Sequence, residues 1–387
     1  MCYLCPVNYL ASSWMPGETL KGKLMLVKGK NFSLGSIKKI LLIQLGDIGD
    51  VVLTTPTIKA LREGYQHSKI FVIVRKHARE LIEDCPWVDG VISVDKDKRK
   101  FREEIVYQKD FLLRLRKKGI ELAIDLRAGT RGAILSFLSG ARLRIGRYAH
   151  DGKSWRNRLF THLVRPENEL QQYSTLHNVN ILAPFKLNVK DTSPELVITK
   201  EKGISAANVL RKAEVPLDRP IIALHPFSRW RYKEWPVTNH IKLIKHIASR
   251  YRVSIVITGS SNEEDRVGGI VQKGKTDIYN LVGKTSIGEL AGVLKGCSLL
   301  IGIDSAPVHI AAAVGTPTIT IFGPSSPINW APRGKQHCAI YKDLPCVPCR
   351  QKGCNNSELS RCLEELRPEE VIPIVDSKIL EIESKIK

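Results

Sequence analysis

The chain has 387 residues, with 43% hydrophobic and 26% charged residues and a net charge of +21 from 60 Lys plus Arg against 39 Asp plus Glu. This length exceeds one ordinary core and favours two domains. The absence of any run approaching about 18 apolar residues excludes a membrane-spanning helix from expectation. Such a basic excess attracts anionic partners: nucleic acid, acidic lipid or phosphorylated small molecules.

Residues 1–36 hold turn formers without a sustained period and read as an N-terminal extension with local structure at best. Lacking a basic region followed by a clean apolar core, they make a poor signal peptide, and a cytoplasmic protein is expected. From Ile37 onward, apolar runs of strand length alternate with helical stretches. The candidate strands are 38–45, 69–75, 90–95, 121–126 and 142–147, then 220–225, 252–258, 277–282, 298–304 and 316–323. Their apolar residues are consecutive rather than alternating, as in parallel strands covered on both faces. Two such series predict Rossmann-like domains over 37–185 and 216–345, with a connection at 186–215 and a Cys-containing segment plus a helix over 346–387. Ligands of these sheets bind at the carboxyl ends of the strands, which makes a cleft between the domains the default site.

The motifs fall at strand ends. LLIQLGDIGDVVLTTP (41–56) carries Asp47 and Asp50, each beside a glycine, but lacks the third glycine of a dinucleotide loop. Either Asp can cap a helix or act as a general base, and Asp50, directly before the apolar VVL, is better placed for both. HPFSRWRYKEWP (225–236) puts Arg229, Arg231 and Lys233 beside Ser228, a cationic loop suited to a diphosphate. In TGSSNEEDR (258–266), Gly259 permits a turn, and Glu263 or Glu264 suits either a helix start or ribose hydroxyls. IGIDSAPVHIAAAVGTPTITIFGPSSP (301–327) ends a strand at Asp304-Ser305 and opens a helix through Ala306, Pro307 and His309. Asp304 suits sugar hydroxyls, and His309 suits phosphate or sugar.

Two stretches are strongly basic: 96–118, and 142–158 with Arg142, Arg144 and Arg147. Four cysteines, Cys346, Cys349, Cys354 and Cys362, stand close enough in sequence for a structural zinc site, although redox and packing roles fit the same spacing.

The stretches 40–63 and 301–327, with the Lys233-Glu234-Trp235-Pro236 element between them, resemble the signature regions of the heptosyltransferases, glycosyltransferase family 9. The resemblance is colinear from about Ile37 to Val371. It implies a GT-B fold, an α/β architecture of two Rossmann-like doubly wound domains facing across a cleft. It also implies a metal-independent inverting transfer that needs no catalytic cofactor. The usual donor is ADP-L-glycero-β-D-manno-heptose, and the acceptor is the Kdo-lipid A inner core of lipopolysaccharide, an anionic glycolipid met at the inner membrane surface. On this likeness Asp50 is the base, while Lys233, with Ser228 and Arg231, meets the donor diphosphate. Glu264, ahead of Glu263, contacts ribose near Gly259; Asp304 binds heptose, and the Ser305, Ala306 and His309 turn surrounds the phosphates. Arg142, Arg144 and Arg147 fall to the acceptor domain, and Asp47 shapes the turn. Gln44, Gly46-Asp47, His225-Pro226-Phe227 and Ala306 depart from the family's commoner residues. The runner-up within this class is a transferase with another nucleotide-sugar donor or a capsular or other glycan acceptor; the distant alternative is a basic nucleic-acid-binding α/β protein with a zinc element.

Overall fold

The computed structural model describes residues 7–11, 25–29, 37–95, 100–149, 154–165, 168–185, 187, 189, 191–274 and 278–386. Cys2, Cys5 and part of each basic stretch (96–99 and 150–153) lie outside the described residues. The chain divides into two compact units, Glu18–Val197 and Met1–Gly17 with Ile198–Lys387.

Strand β1 (Val7–Ala11) and strand β2 (Met25–Lys28) come from the stretch expected to be an extension. Strands β3 (Lys39–Gln44), β4 (Lys69–Arg75), β5 (Gly90–Val94), β6 (Leu122–Asp125), β7 (Leu143–Arg147) and β8 (His162–Arg165) follow. The second series is β9 (Ile221–His225), β10 (Ser254–Ile257), β11 (Ile278–Asn280), β12 (Leu299–Ile303), β13 (Thr318–Phe322) and β14 (His337–Lys342).

The sheet of the Glu18–Val197 unit runs β2-β8-β7-β6-β3-β4-β5, and the other runs β1-β14-β13-β12-β9-β10-β11. All neighbours are parallel except the outermost pairs, β2 with β8 and β1 with β14. The presumed extension therefore adds one antiparallel edge strand to each sheet. These strands escape sequence reading because each is a short edge strand defined by pairing with an existing sheet edge far along the chain. β8 and β14 escape it too, each being a short apolar core between a His and a charged end.

Consecutive apolar residues make the central strands because helices cover both faces. Every residue of β9, β12 and β13 is buried. Each Leu or Ile so enclosed contributes roughly 2 kcal/mol of transfer free energy. The helix Val237–Arg250 buries His240, Ile241, Leu243, Ile244 and Ile247, the 3–4 spacing of an inward stripe. The helix Pro368–Ile386 sends Val371, Val375 and Ile379 into the same core, and His246 Nε2 meets Asp376 Oδ1 at 2.8 Å. The expected C-terminal segment thus belongs to this unit's core. The unit's longer segment starts at Ile198, inside the expected connection, and the helix Lys200–Lys212 packs on Ile287–Lys295, with Ser205 Oγ donating to Glu289 Oε1 at 2.6 Å.

Three imidazoles in this unit are buried neutral. Burial pushes His225 down to about 4, His240 to about 3 and His337 to about 4, against 6.5 in water. Between these values the unfolded chain binds more protons than the folded one, so stability present above about pH 6.5 is lost as pH falls toward 4. The loss is on the order of 2 kcal/mol per imidazole by about pH 5. Thermal unfolding should show a level Tm above neutrality and a steep fall below about pH 6, partly relieved in His240→Phe. A level Tm down to about pH 5 would contradict this account.

Candidate active-site residues

In the Glu18–Val197 unit, β3 and β6 lie side by side and parallel, with Ile43 opposite Asp125. The loops that leave their carboxyl ends are therefore neighbours. After β3 the helix Ile48–Val52 begins earlier than expected: Asp47 is its N-cap and Asp50 its third residue. The physical reason is a capping box, in which the helix's first free N–H groups find carboxylates. Asp47 N–H donates to Asp50 Oδ2 at 2.9 Å, and the Asp47 carboxylate pairs outward with Arg75 at 2.9 Å.

Asp50 Oδ2 also accepts from Arg127 Nη1 at 2.6 Å. Gly46 makes this approach possible, since a Cβ there would stand 2.3 Å from Asp50 Oδ2 and 2.7 Å from Arg127 Nη1. Gln44 pins the loop from beneath. Its Oε1 accepts from Gly46 N–H at 3.0 Å, its Nε2 donates to Thr54 Oγ1 at 2.9 Å, and Thr54 Oγ1 donates to the Asp50 carbonyl at 2.7 Å. The departure at Gln44 thus builds the loop that carries Asp50.

Arg127 is fixed by a buried ion pair. Its N–H donates to Asp125 Oδ1 at 3.2 Å, and its carbonyl accepts from Arg156 Nη2 at 2.7 Å. Arg156 is wholly buried; its Nη2 also reaches Asp125 Oδ2 at 3.3 Å and its Nη1 the Arg147 carbonyl at 2.6 Å. Burial raises the Asp125 carboxyl, and Arg156 opposes that rise. Truncating Arg156 would strand a buried carboxylate, a change that costs about 3–5 kcal/mol.

The three arginines expected at the acceptor do not gather here. Arg147 is buried, with its Nε on the Leu126 carbonyl at 2.8 Å and its other nitrogens on Glu169 and the His177 carbonyl. Arg144 gives its nitrogens to the Leu159 and Ala141 carbonyls, both at 2.7 Å. Because Leu122 pairs with Leu143, Arg142 and Arg144 sit at the amino-terminal edge of the sheet, opposite the edge that carries Asp50. The arginine that reaches Asp50 is Arg127, which the sequence reading missed. Its signal was a basic residue just past the carboxyl end of a central strand.

In the other unit β9 and β12 are parallel neighbours, with Gly302 opposite His225. The loop after β9 holds the short turn Arg231–Lys233, and Lys233 Nζ donates to Asp304 Oδ2 at 2.7 Å. Asp304 is buried just past β12. Burial acts to raise its carboxyl, yet the charge and hydrogen bond of Lys233 outweigh this and hold it below the ordinary range. Ser305 is the N-cap of the helix Ala306–Ala313, Pro307 its second residue, and buried His309 meets the Trp330 ring edge at 6.2 Å.

Ser228 shapes the loop, its N–H donating to Glu234 Oε1 at 2.8 Å and its Oγ accepting from Trp230 N–H at 3.1 Å. Arg231 is exposed. Gly259 is crowded, with Glu263 Oε2, Phe227 and Val282 each 3.1 Å from where its Cβ would be. The two acids after it divide their tasks. Glu263 is buried and accepts from Ser260 N–H at 2.6 Å, whereas Glu264 is exposed at the start of the helix Glu264–Gly274. Past β13, Ser325 lies beside Asp304, and the buried Ser326 hydroxyl has no partner among the described residues. Neither serine was singled out in sequence, since a Ser-Ser pair after a strand reads as an ordinary turn.

A zinc site at the four cysteines is not shown, and the packing role is seen at one of them. Among the described residues no group of three or more His, Cys, Asp and Glu is arranged to hold a metal ion. Cys362 is buried in the core beside Leu363 and Leu366, where burial, and after it the neighbouring Cys349, Cys354 and Cys346, push its thiol up to about 12. Cys354 Sγ accepts from Arg361 N–H at 3.4 Å, and Cys346 is exposed.

These strand-end carboxylates, with a lysine on one and an arginine on the other, invite comparison with known proteins. Residues 110–360 match the family model described as glycosyltransferase family 9 (heptosyltransferase). Lipopolysaccharide heptosyltransferase 3 of Escherichia coli is 30% identical over 309 residues, 77% of this chain and 88% of that protein. Among solved structures, the glycosyltransferase of family 9 from Veillonella parvula superposes with a TM-score of 0.76 at 22% identity, covering 89% of this chain and 97% of that one. An E. coli heptosyltransferase solved with ADP gives 0.68 at 19% identity, covering 88% and 99%. The two doubly wound α/β units are those of the GT-B fold, and the match over most of the chain makes it an enzyme of glycosyltransferase family 9, the heptosyltransferases.

Proposed function

We propose that the chain transfers heptose from ADP-L-glycero-β-D-manno-heptose to the inner core of lipopolysaccharide, either Kdo-lipid A or a heptosylated core. The proposed reaction is an inverting displacement that needs no metal. The observation that carries this reading is the ionic pairing at two strand ends, Asp50 with Arg127 and Asp304 with Lys233. The relatives' names support the sugar and the acceptor class, and the ADP of one solved neighbour supports the nucleotide.

Inversion at an anomeric carbon needs a base for the incoming hydroxyl and charge neutralisation for the departing diphosphate. Asp50 takes the acceptor proton as its oxygen attacks the sugar. Arg127 and the Asp47 N–H hold that carboxylate in one rotamer, and Arg127 is a positioning residue. Lys233 and Arg231 neutralise the leaving ADP, with Ser228 shaping their loop. The amino end of the helix Ala306–Ala313, through Ser305, Ala306 and His309, adds N–H groups directed at phosphate. Asp304 accepts from heptose hydroxyls, and Ser326 offers its hydroxyl on the same side. Glu264 accepts from ribose, because Glu263 is spent on its own helix start, and Gly259 leaves room for that Glu263 side chain. Asp304 keeps Lys233 oriented until the diphosphate competes for it. An anionic glycolipid acceptor further implies work at a membrane surface on the cytoplasmic side.

Incubating the purified protein with ADP-heptose and truncated lipid A-core acceptors should add the mass of one heptose; UDP-glucose in place of ADP-heptose should add nothing. Asp50→Asn should lower kcat by about 10²–10⁴-fold with the donor KM little changed. Unchanged turnover in that variant would remove the base assignment. Arg127→Ala should cost about tenfold or more in kcat, with part restored in Arg127→Lys. Lys233→Ala should raise the donor KM and lower kcat together; equal kinetics with a normal Tm would end its diphosphate role.

A further inference from the structure

The helix Phe101–Lys117 lies on one face of its sheet but turns only a narrow side inward. Phe111 and Leu115 enter the core with Leu41, Ile43 and Ala123. Leu112 packs against the same core, but four apolar side chains point away from it: Phe101 is 80% exposed, Val106 58%, Ile105 53% and Leu113 48%. On a helix that turns about 100° per residue, these four share one outward sector with Lys109 and Arg116. Glu103 and Glu104 fall outside that sector, and exposed Asp110 stands at its border one turn from Val106. Single exposed hydrophobics need no explanation, but four on one sector with cations among them and one acid at the border do.

The face continues onto the next elements. Arg116 Nε donates to the Leu138 carbonyl at 3.1 Å, which joins this helix to Thr130–Leu138. That helix also exposes Ile134 and Phe137, and the Arg144 guanidinium lies 5.4 Å over the Phe137 ring. Projecting apolar and aromatic tips ringed by Lys and Arg match an interface of hydrocarbon overlaid by anionic headgroups. A nucleic acid would use the cations and leave the aliphatic tips in water.

We propose that this face docks the protein on an anionic phospholipid bilayer, the apolar tips entering the headgroup layer and the cations meeting lipid phosphates. Arg144, whose guanidinium lies over Phe137, then belongs to this surface. The inference goes beyond the proposed transfer, and vesicle binding is read without turnover, so either can fail alone.

The test is co-sedimentation of the full chain with vesicles of phosphatidylglycerol and phosphatidylethanolamine, against phosphatidylcholine alone. Binding to the anionic vesicles is expected, weakening with salt. The variant Phe101→Ser/Ile105→Ser/Val106→Ser should bind about tenfold or more weakly at an unchanged Tm. Lys109→Glu, which touches no apolar tip, should also weaken binding at low salt. Wild-type protein remaining in the supernatant would overturn the proposal, as would a triple variant that sediments like wild type. A triple variant that only converts an oligomer to a monomer would assign the face to a second copy of the chain instead.

Discussion

A parallel sheet sealed by helices on both faces leaves strand ends as the place where its polar groups can meet a ligand. Both sheets obey this constraint, and the candidate chemistry of each follows from it. β3 and β6 release Asp50 and Arg127 at adjacent ends, and β9 and β12 release Lys233 and Asp304 in the same way. In each case two loops far apart in sequence meet because their parent strands are hydrogen-bonded neighbours. The ion pair is then a consequence of strand order.

Holding charged groups at such an edge requires support from beneath. In one unit the support is the wholly buried Arg156, which satisfies Asp125 and the carbonyls of Arg127, Arg147 and Gly129 at once. Gln44 does the equivalent for the Asp50 loop without charge. Desolvating these groups is costly, and no apolar replacement could fix the backbone of three loops together. The unit accepts that cost where rigidity of the carboxylate matters.

Much of this was legible in the sequence. Consecutive apolar residues marked the central strands, because burial on both faces removes the need for alternation. Asp50, Lys233 and Asp304 were legible as polar residues placed at strand ends. Arg127 was not, since its value comes from a contact with a residue 77 positions away. Arg147 looked like a ligand group because its charge is visible in sequence and its burial is not. For Arg142 and Arg144 the sequence left the sheet edge open, because a basic strand start and a basic strand end read alike until register shows which edge each one meets. The cysteines looked like ligands by spacing, yet one of them serves the core.

The path of the first strands has a consequence for how the molecule can be divided. β1 completes the sheet built mostly from residues beyond Ile198, whereas β2 completes the sheet that precedes it. Topologically the Glu18–Val197 unit is an insertion into the other, which is itself discontinuous and joined to it by two covalent crossings. A cut between residues 197 and 198 would leave the crossing near residue 17 intact, so the halves would remain tethered. A truncation that starts at Ile37 would strip an edge from both sheets at once, leaving β8 and β14 open to pairing with other chains.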